Sequence, residues 1–533
     1  MGALTEIEEG ADDESVEVWL AYGRDQSQVI RNLINNNFTK ETGITVNLKL
    51  VAGGTLLPSI LAGKGPDVYL GLGSGDVINY AIRGALAPVE EMEGFEEARK
   101  NFNEEAMMVL EIECAGETIT RKDGSKKANE GHENCGTGRP QDDPHCYGLP
   151  ETQGFPMMFV REDILADLNI EVPKTWDDVK ETIPKLQANN MEIAMSSDSN
   201  IFIYQMGGEL FADNGMRINL DSNVALTAFE SMCEMFTMYS FPYQYDFANR
   251  FRTGEMPIGF ADYTGTYNQL KVFATEIEGL WSFYPLPGIA DEEGNINNDS
   301  VSGVGAVVLI SYDQTDAAAQ EKAGRAWEFM KWYVGADCQI DYSNEMVAIL
   351  GPSAKHATAN KVALESLPWT RQEYSRIAEQ FNNLAAIPNY PGAYIIGRYT
   401  KFAFLDAYND NLNPVESLLG YIDYINEEIT RKRDEFGLET LDKELKQTTL
   451  AIKRMQEAEA LLNEARESAS YSSGYDALVD AVLREIRDYN TEDYGELEAY
   501  AEELMKLNKE LFTPAANKLN AAAARLREYE QYK

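Results

Sequence analysis

Val16-Glu17-Val18-Trp19-Leu20 alternates apolar and polar positions and is rich in β-formers, so it predicts a strand. The strand gives out at Ala21-Tyr22-Gly23-Arg24-Asp25. From there Val29, Ile30, Leu33, Ile34 and Phe38 recur at helical spacing on one face, and Gly43 supplies a stop. Ile44 to Leu48 reads as a second strand. Leu56, Leu57, Ile60 and Leu61 mark a short helix, and Gly65-Pro66 turns into a third strand, Asp67 to Leu70. Strand, helix, strand, helix, strand is the order of a parallel sheet covered by helices. Ligands of such sheets gather beyond the carboxyl ends of the strands. Here those ends are Tyr22 to Asp25 and Gly71 to Asp76.

Residues 112–146 read as an insertion. Glu117 to Thr120 and the turn Lys122-Asp123-Gly124-Ser125 predict a hairpin, and the rest is polar and turn-rich. A second α/β region runs from Phe155 to about Pro287, with a helix after Thr175-Trp176. Ser302 to Ile310 is a further strand, followed by a helix through Ala326, Phe329, Met330 and Tyr333, and Gly351-Pro352 breaks the chain. From Asn413-Pro414 the character turns helical, since proline suits the first helical position after an Asn cap. Apolar stripes run from Leu441 to Leu462, through Leu478, Val482 and Ile486, and from Leu497 to Leu511, with Leu519 and Leu526 beyond. They predict an antiparallel helical appendage whose stripes pack on each other or on the α/β body. A dedicated partner surface is the alternative.

The length, 533 residues, suits about three domains, or two large ones and an appendage. With 46 basic and 88 acidic residues the net charge is −42, which argues against nucleic acid and anionic lipid as partners. An apolar content of 44% supports real cores. No run approaches the ~18 apolar residues of a membrane helix; the longest, Gly305 to Ile310, reads as a buried strand. The opening Met1-Gly2-Ala3 leads into the acidic stretch Glu6 to Glu14, unlike a signal peptide. The reading favoured is a chain whose export signal has been removed, ahead of a native cytosolic protein. Cys114, Cys135 and Cys146 crowd the insertion beside His132 and His145. One disulfide with a spare thiol is favoured over reduced cysteines and over a metal, because no short Cys-x2-Cys knuckle is present. P-loop, Gly-x-Ser-x-Gly and His-Glu-x-x-His motifs are absent, and three histidines leave little for catalytic triads.

Leu61-Ala62-Gly63-Lys64-Gly65-Pro66-Asp67-Val68-Tyr69-Leu70, followed by Gly84-Ala85-Leu86-Ala87-Pro88-Val89, resembles the extracellular solute-binding proteins of ABC importers, the class that includes maltose-binding protein. Tyr147-Gly148-Leu149-Pro150, Phe159 to Leu165, Val172 to Asp178, Phe251 to Pro257, Pro285 to Gly288 and Ala326 to Trp332 follow in the family's order. The likeness covers about residues 16–435. It implies an α/β, two-lobed periplasmic-binding-protein-like fold with a ligand cleft between the lobes, a C-terminal helical appendage, and hinge closure on ligand. The expected partition is a tether at 1–15, one lobe from 16–152 and 302–351, a second from 153–301 and 352–435, and a helical extension at 436–533. Crossings are expected near Glu151–Gly154, Asp299–Gly303 and Leu350–Ser353.

The resemblance also implies where ligand sits. Tyr22, Arg24 and Asp25 end the first strand, though short polar turns are often only turns. Ser74 and Asp76 occupy the loop where relatives place a sugar-contacting aromatic and acid. Gly71-Leu72-Gly73 stands where the aromatic would lie and would let backbone N–H groups approach a ligand. Gln153 at the first crossing can donate and accept, as a contact or as a hinge tie. Tyr263 and Tyr267 follow the strand after which relatives carry a stacking tryptophan, and an ordinary core position is the competing reading of Tyr263 and of Tyr394. Tyr394 and Arg398 sit one turn apart on the helix opened by Pro388-Asn389-Tyr390-Pro391. The expected function is the substrate-binding lipoprotein of an ABC importer on the cell surface. It would be a monomer that captures an oligosaccharide for a membrane permease, with no catalytic residue, cofactor or metal. A peptide or other organic solute as ligand, a glycan-acting enzyme, and an adaptor using the helical tail are the alternatives.

Overall fold

A computed structural model describes residues 14–112, 118–120, 126–128, 145–212, 215–291, 293–436, 438, 440, 458–468, 471–487 and five positions between 518 and 526. The chain divides into two compact units. The first is Met1–Ser196, Phe241–Ala393 and Glu435–Leu438; the second is Ser197–Ser240, Tyr394–Asp434 and Glu439–Lys533.

The first unit holds two sheets. Strand β1 (Val16–Leu20) buries Val16, Val18 and Leu20 on one face, as its alternation requires. Helix α1 (Arg24–Leu33) follows, runs through one π turn at Ile34–Phe38 and a last turn at Thr39–Thr42, and stops at Gly43 with φ 75°. Its apolar stripe of Val29, Ile30, Leu33, Ile34 and Phe38 is buried. Strands β2 (Val46–Leu50) and β3 (Val68–Gly73) both lie parallel to β1. Helix α2 (Ser74–Ala81) leaves directly from β3. Strand β4 (Leu149–Gly154) is the sheet's far edge, and the order is completed by β9 (Gly303–Leu309), giving β2-β1-β3-β9-β4 with β9 antiparallel to both neighbours.

Strand β3 runs to Gly73, three residues past the expected end at Leu70. Pairing with β9 carries it there, through Leu72 with Ala306 and Gly73 with Gly305. The register slips between Ala306 and Val308, so β3 carries one extra residue, and Gly71 at φ 74° takes up the bulge.

The second sheet has the order β6-β7-β5-β8, from β5 (Pro156–Arg161), β6 (Ile193–Ala194), β7 (Ile258–Asp262) and β8 (Trp281–Tyr284). Helix α3 (Trp176–Gln187) lies between β5 and β6 and opens with a capping box: Thr175 accepts from the Asp178 N–H at 3.1 Å, and Asp178 accepts from the Thr175 N–H at 2.9 Å. Each sheet has its own core, one around Val18, Leu70, Val307 and Phe329, the other around Phe155, Phe159, Phe251 and Phe283.

Between β3 and β4 the insertion stands on a two-residue stem, Glu111–Ile112 paired with His145–Cys146, and Thr118–Thr120 pairs with Lys126–Ala128 as the hairpin pattern predicts. His132, Cys114 and Cys135 lie outside the described residues. Cys146, Cys233 and Cys338 are buried free thiols. Among the described residues no group of His, Cys, Asp and Glu is arranged to hold a metal ion, and no helix is long and apolar enough to cross a membrane.

The second unit is mostly helical. Helix α4 (Asn223–Thr237) sets Phe236 edge-on to Phe404 of helix α9, with centroids 4.9 Å apart. Between them in the chain, in the first unit, lie α5 (Tyr263–Phe273), α6 (Ala317–Val334), α7 (Ala336–Leu350) and α8 (Arg371–Phe381); α9 itself is Ile396–Asp410. Helix α10 (Pro414–Glu435) starts at Pro414, with Asn413 Oδ1 accepting from the Glu416 N–H at 3.0 Å. Of the tail stripes, Leu461 and Leu462, then Val479, Val482 and Leu483, and finally Leu519 and Leu526 are buried. Leu441 and the Leu497–Leu511 stripe lie outside the described residues.

Candidate ligand-binding site

Tyr22 follows the end of β1 and is partly buried. Its hydroxyl donates to Glu151 Oε2 at 2.6 Å, and the Tyr333 hydroxyl of α6 donates to Glu151 Oε1, also at 2.6 Å. The Gly71 backbone N–H gives the same carboxylate a third hydrogen bond. Burial pushes the Glu151 carboxyl above its ordinary value, against the pull of its three donors. Burial, reinforced by the adjoining carboxylate, pushes both tyrosines well above theirs. Gly71 is required sterically as well as conformationally, because an added Cβ would lie 2.2 Å from the Tyr22 hydroxyl oxygen.

Arg24 and Asp25 are exposed in the first turn of α1. Ser74 opens α2, with Asp76 exposed in that helix's first turn. The Ser74 carbonyl accepts from Asn389 Nδ2 at 2.7 Å, a tie between segments 315 residues apart. Tyr22 and Ser74 thus follow the carboxyl ends of β1 and β3, and Gln153 lies near the carboxyl end of β4 in the same sheet.

Gln153 is wholly buried on β4. Its N–H donates to the Ala357 carbonyl at 2.9 Å and its Nε2 to Ser302 Oγ at 3.2 Å, while its Oε1 has no partner among the described residues. The Ala359 N–H donates to the Glu151 carbonyl, and Gly303 faces Gly154 across the sheet. Three chain segments thus pair side by side where β4 hands over to β5. Two glycines beside this junction have close neighbours: a Cβ on Gly154 would sit 2.8 Å from Asp262 Oδ2, and one on Gly305 2.6 Å from Thr152 Oγ1.

Asp262 ends β7 and caps α5, accepting from the Gly265 N–H at 2.7 Å. Tyr263 follows it, but its ring is wholly buried and stacked on Phe155 at 4.5 Å. Tyr267 is also buried, edge-on to Trp281 and Trp369 at 5.6 and 5.0 Å. Burial raises both phenols above the ordinary tyrosine range. Tyr394 and Arg398 belong to the second unit. Both are exposed, and the Tyr394 hydroxyl donates to Glu428. From sequence Glu151 and Asn389 stand only within a crossing and a helix opening, not as site residues, because their partners are remote in the chain. The two described histidines hold carboxylate and amide partners, His145 with Glu90 and His356 with Gln339.

The family model described as "Bacterial extracellular solute-binding protein" matches residues 22–340. Among solved structures, the sugar-binding protein of Xanthomonas citri is 16% identical, with a TM-score of 0.61 over 80% of this chain and 100% of that one. The maltose-binding protein of Listeria monocytogenes in complex with maltose is 15% identical, with a TM-score of 0.56 over 79% and 99%. A solute-binding protein of Thermotoga lettingae bound with α-D-tagatose is 17% identical, with a TM-score of 0.54 over 78% and 100%. None of the curated protein sequences matches. The shared fold is the two-lobed architecture of periplasmic sugar-binding proteins, here with extra C-terminal helices. From the family match and the fold together, this chain belongs to the bacterial extracellular solute-binding proteins, the solute-capturing components of ABC transporters.

Proposed function

We propose that the protein captures an oligosaccharide at the strand ends of its first unit and delivers it to an ABC permease. The observation that carries this reading is the gathering of hydrogen-bonding groups around closely approaching glycines: Tyr22, Ser74, Gln153 and Asp262 beside Gly71, Gly154 and Gly305. Sugar hydroxyls need donors and acceptors in fixed positions, and glycine lets the backbone supply some of them. Arg24, Asp25 and Asp76 are exposed on the same strand-to-helix turns and are the proposed rim of the site. Tyr263 and Tyr267 support the strand end from within the core.

The segments pairing at Glu151–Gly154, Ser302–Gly305 and Ala357–Ala359 are the proposed hinge between the two sheets, bending by small changes in a few residues. The lobe boundaries implied by the family, cell-surface lipoprotein anchoring and a monomeric state are parts of the same proposal. Thermal-shift screening with maltose, maltotriose, α-D-tagatose and a set of short peptides tests it. A ligand at about 100 times its Kd adds about 2.7 kcal/mol of stability. A sugar that raises the melting temperature, contracts the molecule in X-ray scattering and is recovered unchanged supports the reading. A response to peptides alone moves the ligand class to peptides, and release of a hydrolysed product replaces binding with catalysis.

A further inference from the structure

The buried carboxylate at the crossing strand is the part of the molecule that folding alone explains least. Glu151 is 2% exposed. Its described partners, the hydroxyls of Tyr22 and Tyr333 and the backbone of Gly71, are all neutral donors, and among the described residues no cationic side chain pairs with it. Cys338 and Tyr342 of α7 also lie within its electrostatic reach, and neither carries positive charge to offset it. A carboxylate taken out of water without a counter-charge is costly, and a neutral residue of the same shape would usually serve stability as well or better. Hydrogen bonds to an ionised acceptor are, in return, about twice as strong as neutral ones and tighter in geometry.

The geometry shows where that strength is applied. One oxygen of Glu151 anchors to Tyr333 in the middle of a core, beside Phe329 in the same stacked pair of rings. The other holds Tyr22, the residue that leaves β1 at the strand ends. Gly71 is kept without a side chain so that the Tyr22 hydroxyl can pass to the carboxylate. The backbone of Glu151 belongs to the strand that crosses between the sheets and is paired with Ala359.

We propose that Glu151 is a positioning residue of the ligand site, its buried charge fixing Tyr22 against the crossing strand at a cost in stability. This rests on the reading that Tyr22 lines the site. The proposal predicts that function and stability move in opposite directions when the charge is removed, which a structural role would not produce. Glu151→Gln keeps the shape and lets a tyrosine hydroxyl turn to accept from the new amide.

The test is made on the full chain with 3-fluorotyrosine placed at position 22, read by fluorine NMR in the wild type and in Glu151→Gln, alongside thermal melts. The expected result is a sharp wild-type signal that shifts and broadens in the variant, with the melting temperature unchanged or raised. A Tyr22 signal that stays put, or a melting temperature that falls, overturns the proposal. Tyr333→Phe is the second variant. It leaves the Glu151 carboxyl in place as the acceptor for Tyr22, so the Tyr22 signal should move less than in Glu151→Gln, and an equal or larger movement also counts against the proposal. Maltotriose and α-D-tagatose are then titrated. If either binds, Glu151→Gln and Tyr22→Phe should each weaken it about tenfold, and the double variant no further. If neither binds, the sugar reading loses support while the NMR and melting results still decide the role of Glu151.

Discussion

The two sheets of the first unit end in opposite ways. The first ends in polar groups and glycines: Tyr22, Gly71, Ser74 and Glu151. The second ends in rings: Tyr263 on Phe155, and Tyr267 against Trp281, Phe283 and Trp369. Tyr22 and Tyr263 both follow the carboxyl end of a strand, so strand-end position alone does not decide whether a ring joins polar partners or packs into a core. The direction of the side chain does. Tyr22 lies in an extended turn before its helix begins at Arg24, whereas Tyr263 is already the first residue of α5, capped by Asp262, and is turned inward onto Phe155. The contrast can be broken at either end.

The largest effect is expected at the aromatic end. Tyr263→Ala removes a wholly buried ring and should destabilise by about 3–5 kcal/mol, the range of large aromatic-to-alanine changes in cores. Arg24→Ala, at the exposed polar end, should stay within about 0.5 kcal/mol. Chemical denaturation of both variants checks the pair, and a Tyr263→Ala variant as stable as Arg24→Ala would remove the distinction between the two ends.

Behind the polar end, His356 makes stability depend on pH. Its ring nitrogen Nε2 contacts Gln339 Oε1 at 2.8 Å, and Tyr342 lies edge-on at 4.9 Å. Burial lowers its pKa to about 4. Below pH 6.5 the unfolded chain takes up a proton that the folded one refuses. Stability is therefore full above about 6.5 and is lost as pH falls toward 4, by about 3 kcal/mol for a shift of this size. Glu151, raised by burial, works in the opposite sense and gains stability as it takes up a proton. Melting curves across pH 4–7 should slope downward toward acid in the wild type and less steeply in His356→Gln.

Gly71→Ala joins both costs of the polar end, a left-handed backbone at φ 74° and a Cβ 2.2 Å from the Tyr22 hydroxyl. A loss of about 2 kcal/mol is expected. Tyr22→Ala in the same chain should recover the steric part and leave the backbone part, so the two changes should combine to less than their sum. Strict additivity in denaturation experiments would place the Tyr22 hydroxyl away from Gly71.

What could be seen in the sequence was local. The stripe of α1 and its stop at Gly43, the Thr175 cap and the Asn413-Pro414 start are decided by residues within a turn or two of one another. Thr175→Ala tests how much that local signal is worth. Loss of the cap should cost about 1 kcal/mol in thermal melts. The polar end was only half visible. Tyr22 was expected from the strand order and Gln153 from the crossing that the family likeness implies, but Glu151 meets its partners across 129 and 182 residues, and Asn389 meets Ser74 across 315. No periodicity links such positions. The extension of β3 to Gly73 likewise depends on β9, more than 200 residues away, and the inward turn of Tyr263 on the packing of Phe155.

The smallest effect is expected from removing the insertion. Its stem closes cleanly: Ile112 is paired with His145, the last rung of an antiparallel ladder, so residues 113–144 can be replaced by an Asn-Gly turn. The stem is held from outside the insertion. Arg99 bonds Glu111 at 2.5 Å, and Glu90 takes the Cys146 N–H at 3.0 Å along with its contact to His145. His145 and Cys146 are themselves buried, so the shortened chain keeps its anchors. Neither strand of the stem carries any of the groups gathered at the polar end. If those groups form the site, the shortened protein should bind the same sugar as the full chain with affinity within a few fold, and calorimetry on the two proteins reads this directly. Loss of binding with the fold and the melting temperature intact would place a ligand contact in the insertion, and the contrast between the two sheet ends would then describe only part of the site.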